Sequence, residues 1–302
     1  VPMEKAAQEM ERYAPKIRVK YHEQNGTVLL YPAYSFVKIP HAVSYEVEIT
    51  DEEPENPDGC EPSVHRISQG IVTIPELFDE LPRQGTVWWR VRGLDENGGP
   101  VGVWSEAEKI VNDPAENWET GILGDSISHG GGRMSYSPAD WPYNYAYYLD
   151  FPTINMSRSG DKTDDLLRRF DADVLPFHVR YLLIMGGTNN LRCGGTAEKV
   201  ISDLEALQEK CRSGGIEPVL LTIPPIAPDR IWKYYQQPTA ENWKAEFDKV
   251  NGWIRTQTHI DTAAPFAMYE DMPENLAADG LHPDKEAKEK MLAVPKIAQM
   301  NL

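Results

Sequence analysis

The stretch Gly121-Ile122-Leu123-Gly124-Asp125-Ser126-Ile127-Ser128-His129-Gly130 decides how the chain is read. Apolar residues run into Gly-Asp-Ser, and Gly130, Gly131 and Gly132 follow. The pattern is that of a short buried strand ending in a sharp turn with a serine on it. In an open α/β sheet, ligands bind in the crevice outside the carboxyl ends of the strands. Taken alone, Gly-Asp-Ser is also the pattern of a solvated turn, so its meaning depends on what comes after it.

What comes after it is a steady alternation of strand, loop and helix. Thr120–Gly124, Thr153–Met156, Tyr181–Met185, Val219–Ile223 and Ile260–Ala264 are apolar runs bounded by Gly, Pro or Asn, as buried parallel strands are. Thr196 caps a helix that presents Val200, Leu204, Leu207 and Cys211 on one face, and Gly214 and Gly215 end it. Asp164–Phe170 carries a second apolar stripe. Trp243, Phe247, Val250 and Ile254 recur at helical spacing and predict a helix over about 240–256. The alternation predicts an α/β fold: a mostly parallel sheet with helices on both faces.

The first third reads differently. Residues 1–16 suggest a helical lead stopped by Pro15. Short strands follow at Ile17–Tyr21, Thr27–Tyr31, Phe36–Ile39, Tyr45–Thr50, Ile71–Ile74, Thr86–Arg92 and Glu108–Val111. Apolar and charged residues alternate in Tyr45-Glu46-Val47-Glu48-Ile49, the signature of a strand with one buried face. Asn25-Gly26, Pro57-Asp58-Gly59 and Asn97-Gly98-Gly99-Pro100 supply turns. Strands at this spacing predict an all-β sandwich of about 100 residues. Ser44-Tyr45-Glu46-Val47-Glu48-Ile49, Trp88-Trp89-Arg90-Val91-Arg92-Gly93-Leu94-Asp95 and Gly102-Val103-Trp104-Ser105 resemble a fibronectin type III domain over roughly residues 17–112. Trp88, Trp89 and Trp104 fit sandwich packing better than sugar stacking. Asn112–Asn117 reads as a linker, so the expected domains are 1–114 and 115–302.

Composition narrows the partners. The net charge is −17, with 30 Lys and Arg against 47 Asp and Glu, and no basic tract stands out. Nucleic acid and anionic membranes, which need basic patches, are therefore not expected partners. No apolar run is long enough for a membrane span. The first residues show neither a signal-peptide pattern nor an initiator Met. Cys60, Cys193 and Cys211 are an odd set. Cys193 and Cys211 flank one predicted helix, too far apart for a disulfide, so all three read as free thiols. The compartment stays open, with the extracellular or periplasmic side favoured over the cytoplasm, and nothing sets the oligomeric state.

Four features fall at predicted strand ends: Gly124-Asp125-Ser126, Asn155-Met156-Ser157-Arg158-Ser159-Gly160, Gly186-Gly187-Thr188-Asn189-Asn190, and Asp279-Gly280-Leu281-His282 before Pro283 and a final helix. Together they suit acyl transfer. A serine hydroxyl needs a base to take its proton. His282 can be that base, and a carboxylate three residues earlier can hold its ring. A tetrahedral intermediate needs preorganised donors, which the N–H groups of Ser126 and Gly160 and the Asn189 amide can supply. These four pieces, in this order, resemble the SGNH (GDSL-type) hydrolase family over about residues 118–300.

The resemblance implies a three-layer, flavodoxin-like α/β/α domain with a catalytic Ser126, His282 and Asp279 and an oxyanion hole of Ser126, Gly160 and Asn189. No His-Glu-x-x-His, zinc-type cysteine pair, phosphate loop or dinucleotide fingerprint occurs, so no metal and no cofactor are expected. Where the family commonly has Asp after the asparagine, this chain has Asn190, which puts the support of that loop in question. Gly-x-Ser-x-Gly is absent, against a standard α/β-hydrolase.

Around this set, His129 lies near Ser126 without an orienting carboxylate and reads as pocket-lining or structural. The Gly130–Asp140 loop with Tyr136, and Trp141 and Tyr143 after it, would wall an acyl site. Trp232, Tyr234 and Tyr235 follow Pro224, Pro225 and Pro228 on another strand-end loop and offer faces for a sugar, or simply pack. Asp125, His129, Trp141, Tyr143 and Trp232 are thus the candidate substrate contacts. The expected activity is hydrolysis of short acyl, chiefly acetyl, esters of a small molecule or of an oligo- or polysaccharide. A lipase, arylesterase or thioesterase stays open, as does a carbohydrate-binding or adhesive protein with a degenerate hydrolase domain.

Overall fold

The computed structural model describes residues 13–18, 27–116, 118–131, 136–149 and 151–292. They divide into two units, 13–18 with 31–113 and 27–30 with 114–292. The expected helical lead falls mostly outside the described residues; by β1 (Lys16–Ile17) the chain is already extended. β2 (Thr27–Leu29) belongs to the second unit.

The first unit holds two antiparallel sheets. One runs β1-β3-β6, with β3 at Ala33–Val37 and β6 at Glu76–Phe78. The other runs β5-β4-β7-β8, with β4 at Ser44–Thr50, β5 at Arg66–Val72, β7 at Gly85–Leu94 and β8 at Pro100–Val101; β9 (Glu108–Asn112) also pairs with β7. Side chains from the two sheets meet: Tyr34 lies on Trp89 and Phe36 on Tyr45, each pair with ring centroids 4.9 Å apart.

The alternation in β4 does mark two faces, but both are buried. On the second face Glu48 accepts from Arg90 Nε at 2.8 Å and Arg66 Nε at 2.5 Å, and Glu46 from Arg92 Nε at 2.7 Å. The Arg90 and Arg92 guanidiniums each lie 4.6 Å from the Trp104 ring centroid. A polar residue can be buried when its partner is buried with it. Trp104, only 2% exposed, is therefore covered by arginines and offers no face for a sugar.

The second unit is built on a six-stranded, all-parallel sheet in the order β14-β13-β12-β10-β11-β2. β10 is Thr120–Gly124, β11 Thr153–Asn155, β12 Tyr181–Met185, β13 Glu217–Leu221 and β14 His259–Ile260. Along the chain come α1 (Ser126–His129), α2 (Thr163–Asp173), α3 (Thr188–Arg192), α4 (Ala197–Ser213), α5 (Pro228–Tyr235), α6 (Trp243–Ile254) and α7 (Lys285–Leu292). β10, β12 and, after Glu217, β13 are buried because both faces of a parallel sheet are covered.

Several strands differ from the sequence expectation: β5 runs over Arg66–Val72 and ends before Ile74, β14 stops at Ile260, and two further cases have a clear physical reason. Thr27–Tyr31 was expected in the sandwich; β2 instead extends the edge of the parallel sheet beside β11. Val28-Leu29-Leu30-Tyr31 is buried throughout, the pattern of a covered strand and not of a half-exposed one. β13 begins at Glu217, ahead of Pro218. Glu217 N–H bonds Arg180 C=O on one side, and β14 pairs only from Leu220, so Pro218 falls where no ladder bond is due on the other.

β10 lies between β11 and β12, so the chain leaves it first to one side and then to the other. This is the topological switch point where open α/β sheets bind ligands, and the crevice opens at Gly124.

Candidate active site

Each element around the crevice presents its side chain for a local reason. β10 ends at Gly124, where a Cβ would stand 2.4 Å from Ser128 Oγ and 2.7 Å from Met185 O. Only glycine allows the turn to fold back so tightly. Asp125 caps α1, its Oδ1 accepting from Ile127 N–H at 2.9 Å. That places Ser126 at the first position of the helix.

Ser126 Oγ is 2.9 Å from His282 Nε2, and His282 Nδ1 is 2.7 Å from Asp279 Oδ2. Asp279 Oδ1 accepts from the N–H groups of Leu281 and His282, each at 2.8 Å, which folds the turn that aims the ring. Asp279 Oδ2 also accepts from the Tyr235 hydroxyl at 2.5 Å. Burial alone would raise the Asp279 carboxyl. The hydrogen bonds and charge of His282, with the Tyr235 hydroxyl, outweigh it and hold the group well below the usual carboxylate range. The resulting chain runs from hydroxyl to imidazole to ionised carboxylate, which is what a serine needs to lose its proton.

The other two strand ends face the same crevice. Gly160, after β11, has φ +93°, and a Cβ there would meet nothing within 4 Å. The residue keeps an exposed backbone in the left-handed region where other side chains are strained. Asn189, at the start of α3, is nearly buried at 6% exposure. Its Nδ2 donates to Asp161 C=O at 2.9 Å and its Oδ1 accepts from Arg192 Nε at 3.1 Å. Both ends of the amide are thus oriented, and Nδ2 carries two protons, one of them directed to Asp161 C=O. Asn190 Oδ1 accepts from Thr163 N–H at 3.0 Å. That bond needs only an acceptor oxygen, so an amide serves at this position.

The candidate substrate contacts separate. Asp125 is a buried cap, and His129 is 2% exposed with Nδ1 bonded to Ser159 Oγ at 2.9 Å. Trp141 is buried at 4% exposure. All three side chains are buried, Asp125 as the cap of α1 and His129 against Ser159. Tyr143 stacks on Tyr136 at 4.0 Å, with Lys285 Nζ 5.8 Å from its ring centroid. Burial, with the Asp279 charge, pushes the Tyr136 hydroxyl up to about 12. The rest of the Gly130–Asp140 loop lies partly outside the described residues. Trp232 is 53% exposed on α5, one turn before Tyr235.

Sequence reasoning passed over three side chains. In sequence Tyr235 is simply one of three aromatics on its loop, and nothing marks Arg192 or Lys288, which is completely buried on α7 with Nζ donating to Ile127 C=O. Arg192 follows Asn189 by one helical turn, a local signal that could have been used. Tyr235 is 44 residues from Asp279 and Lys288 is 161 from Ile127, and no spacing rule reaches that far. Among the described residues, no group of three or more His, Cys, Asp or Glu is placed to hold a metal ion. The three cysteines are free thiols.

Comparison with known proteins finds sequence relatives and structural neighbours. Thioesterase 1/protease 1/lysophospholipase L1 of Escherichia coli (strain K12) is 29% identical over 172 residues, 55% of this chain and 76% of that protein. A GDSL-like lipase from Bacteroides thetaiotaomicron aligns with a TM-score of 0.49 and 18% identity, over 60% of this chain and 86% of its own. A variant of an acetyl-xylooligosaccharide esterase from Geobacillus aligns with a TM-score of 0.44 and 20% identity, over 58% and 90%. Residues 122–290 match the model of the GDSL-like Lipase/Acylhydrolase family. That match spans more than half of the chain and contains every strand-end residue described above, so the chain belongs to this family and is a carboxylic ester hydrolase.

Proposed function

We propose that the protein is a serine esterase that removes short acyl groups, acetyl above all, from a carbohydrate. The observation that carries the mechanism is the unbroken chain Ser126 Oγ, His282 Nε2, His282 Nδ1, Asp279 Oδ2. Ser126 attacks the ester carbonyl as His282 takes its proton at Nε2. Asp279 stabilises the imidazolium, with Tyr235 sharing its Oδ2. The oxyanion forms among the N–H groups of Ser126 and Gly160 and the Asn189 amide. His282 returns the proton to the departing alcohol. Water then repeats the sequence on the acyl-enzyme and releases the acid.

The carbohydrate reading is supported by α5. Residues three apart share a helix face, so the exposed Trp232 ring stands on the side of Tyr235, whose hydroxyl touches the Asp279 carboxylate. An aromatic face one turn from the catalytic carboxylate suits a pyranose ring. The antiparallel unit is read as a fibronectin type III-like module, supported by its sheets of β1-β3-β6 and β5-β4-β7 with β8 and β9. A second reading, a thioesterase or lysophospholipase, is favoured by the Escherichia coli relative.

A chain-length series of chromogenic esters, run beside acetylated xylo- and manno-oligosaccharides, separates the two. Acetate release from the saccharides and a kcat/KM that falls from acetyl to octanoyl are expected. A kcat/KM that climbs with chain length, with no acetate from the saccharides, replaces this reading with the second.

A further inference from the structure

α1 is a single turn, and a helix that short does not hold itself. Its carbonyl groups are held from outside. Asn155 Nδ2 donates to Ser128 C=O at 2.8 Å, and Asn144 Nδ2 to His129 C=O at 3.3 Å. The Ile127 carbonyl is taken by Lys288 Nζ. Lys288 is completely buried, on a face of α7 otherwise made of Ala287 and Met291. Its Nζ lies 5.6 Å from the centroid of Tyr145, whose hydroxyl donates to Ser128 Oγ at 2.9 Å.

A fully buried lysine is rare, because removing an ammonium from water is costly. What partly offsets that cost here is Asp125, itself 1% exposed, whose Oδ2 makes no hydrogen bond among the described residues. Burial pushes the Lys288 ammonium down to about 7 and the Asp125 carboxyl up to about 6, and the charge of each opposes the shift of the other. His282 adds a second positive influence on Asp125 and Asp161 a negative one.

Lys288 follows His282 by six residues, and the connection is stiff. Pro283 restricts the backbone. Asp284 Oδ1 then accepts from Ala287 N–H at 2.9 Å, which closes the first turn of α7. One rigid element therefore meets the Ser126 turn twice, through His282 on the hydroxyl and through Lys288 on the next residue's carbonyl.

We propose that Lys288 is a positioning residue that sets the distance between the Ser126 hydroxyl and the His282 base by anchoring α1 to the helix that directly follows the turn carrying the base. The proposal rests on Ser126 being the nucleophile. Lys288 touches no reactant; it acts through Ile127.

The test is Lys288→Met, which keeps an unbranched stem one atom shorter and removes the donor. Ser126 reactivity is read as the rate of covalent labelling by a fluorophosphonate, with the labelled residue mapped by peptide mass. kcat and KM on an acetyl ester and the melting temperature are measured alongside. Misplacing a reacting group by about 1 Å can cost about 100-fold. Labelling and kcat are therefore expected to fall about 10- to 100-fold with KM little changed. Exchange of a buried charge for an apolar group is often neutral or stabilising, so the melting temperature is expected to hold or rise. Lys288→Gln, which retains an N–H donor, is expected to fall between wild type and the Met variant. Wild-type labelling rates in Lys288→Met overturn the proposal. So does failure of both variants to fold, or a loss of labelling that only tracks lost stability; either outcome makes Lys288 a structural lysine. If the wild-type label maps away from Ser126, it is the assignment of the nucleophile that fails.

Discussion

The protein buries charge in two places and treats it in opposite ways. In the antiparallel unit Glu46 and Glu48 meet Arg66, Arg90 and Arg92, and the cluster is roofed by Trp104. Arg90 also donates to Asn56 Oδ1 at 2.8 Å and Asn56 C=O at 3.1 Å, so the guanidinium is fully engaged. At the end of β10 the charges are fewer and left incomplete. Asp125 keeps a carboxylate oxygen without a hydrogen bond among the described residues, and the Asn189 amide nitrogen donates to Asp161 C=O. A buried polar network that is satisfied rigidifies a core; one left partly open is a reservoir that chemistry can draw on. The difference between the regions is one of degree: Arg66 Nη2 in the antiparallel unit also lacks a well-formed hydrogen bond, but it lies against the Glu48 carboxylate.

The sharpest way to break this comparison is Ser126→Ala. Removing a nucleophile that acts in a unit with its base typically costs about 10⁴-fold or more in kcat. Ser126 contributes little to the core, so the melting curve is expected to stay close to wild type. Turnover that survives the substitution refutes the assignment.

The opposite result is expected in the other region. Glu48→Ala leaves Arg66 and Arg90 without their shared carboxylate, and stranding a buried charge typically costs about 3–5 kcal/mol. Calorimetry is expected to show the antiparallel unit melting lower while kcat on a soluble acetyl ester stays as it was. A fall in kcat without a fall in stability would erase the distinction.

The smallest effect is in the pH dependence of stability. Lys288 has a folded value of about 7, below the roughly 10.4 of a free lysine. The unfolded chain then binds more protons between those limits, so stability rises as pH rises from about 7 to about 10. Asp125 runs the other way: its folded value of about 6 lies above the roughly 3.9 of a free aspartate, so stability falls as pH rises between the two. Denaturant midpoints across pH are expected to show both limbs, and Lys288→Met to lack the upper one. An unchanged upper limb in that variant would remove Lys288 as its source.

Much of the site was legible in the primary structure because its parts are local. Gly124-Asp125-Ser126 is a strand, a cap and a helix start in three consecutive residues. Asp279 and His282 share one turn, and the backbone N–H bonds to Asp279 Oδ1 are made within it. Gly160 and Asn189 follow their strands closely, so strand periodicity locates them. Stripes such as Val200, Leu204, Leu207 and Cys211 likewise predict α4, where all four are buried.

Periodicity tells which side of an element is covered, and not what covers it. Alternation in β4 marked Glu46 and Glu48 as one face, yet only the arrival of β5 and β7 with their arginines made that face an interior. The apolar run at Thr27–Leu29 required a partner strand, and the fold supplied β11 from more than a hundred residues later. Tyr235 and Lys288 have ordinary neighbours in sequence; their roles arise from Asp279 and Ile127, brought to them by the crossover connections of the sheet. The amino-acid sequence by itself determined the elements, their order and the chemistry at each strand end, because these follow from bonds within one turn. Only the tertiary structure decided which buried charges are completed and which are left open, because that depends on side chains meeting across the chain.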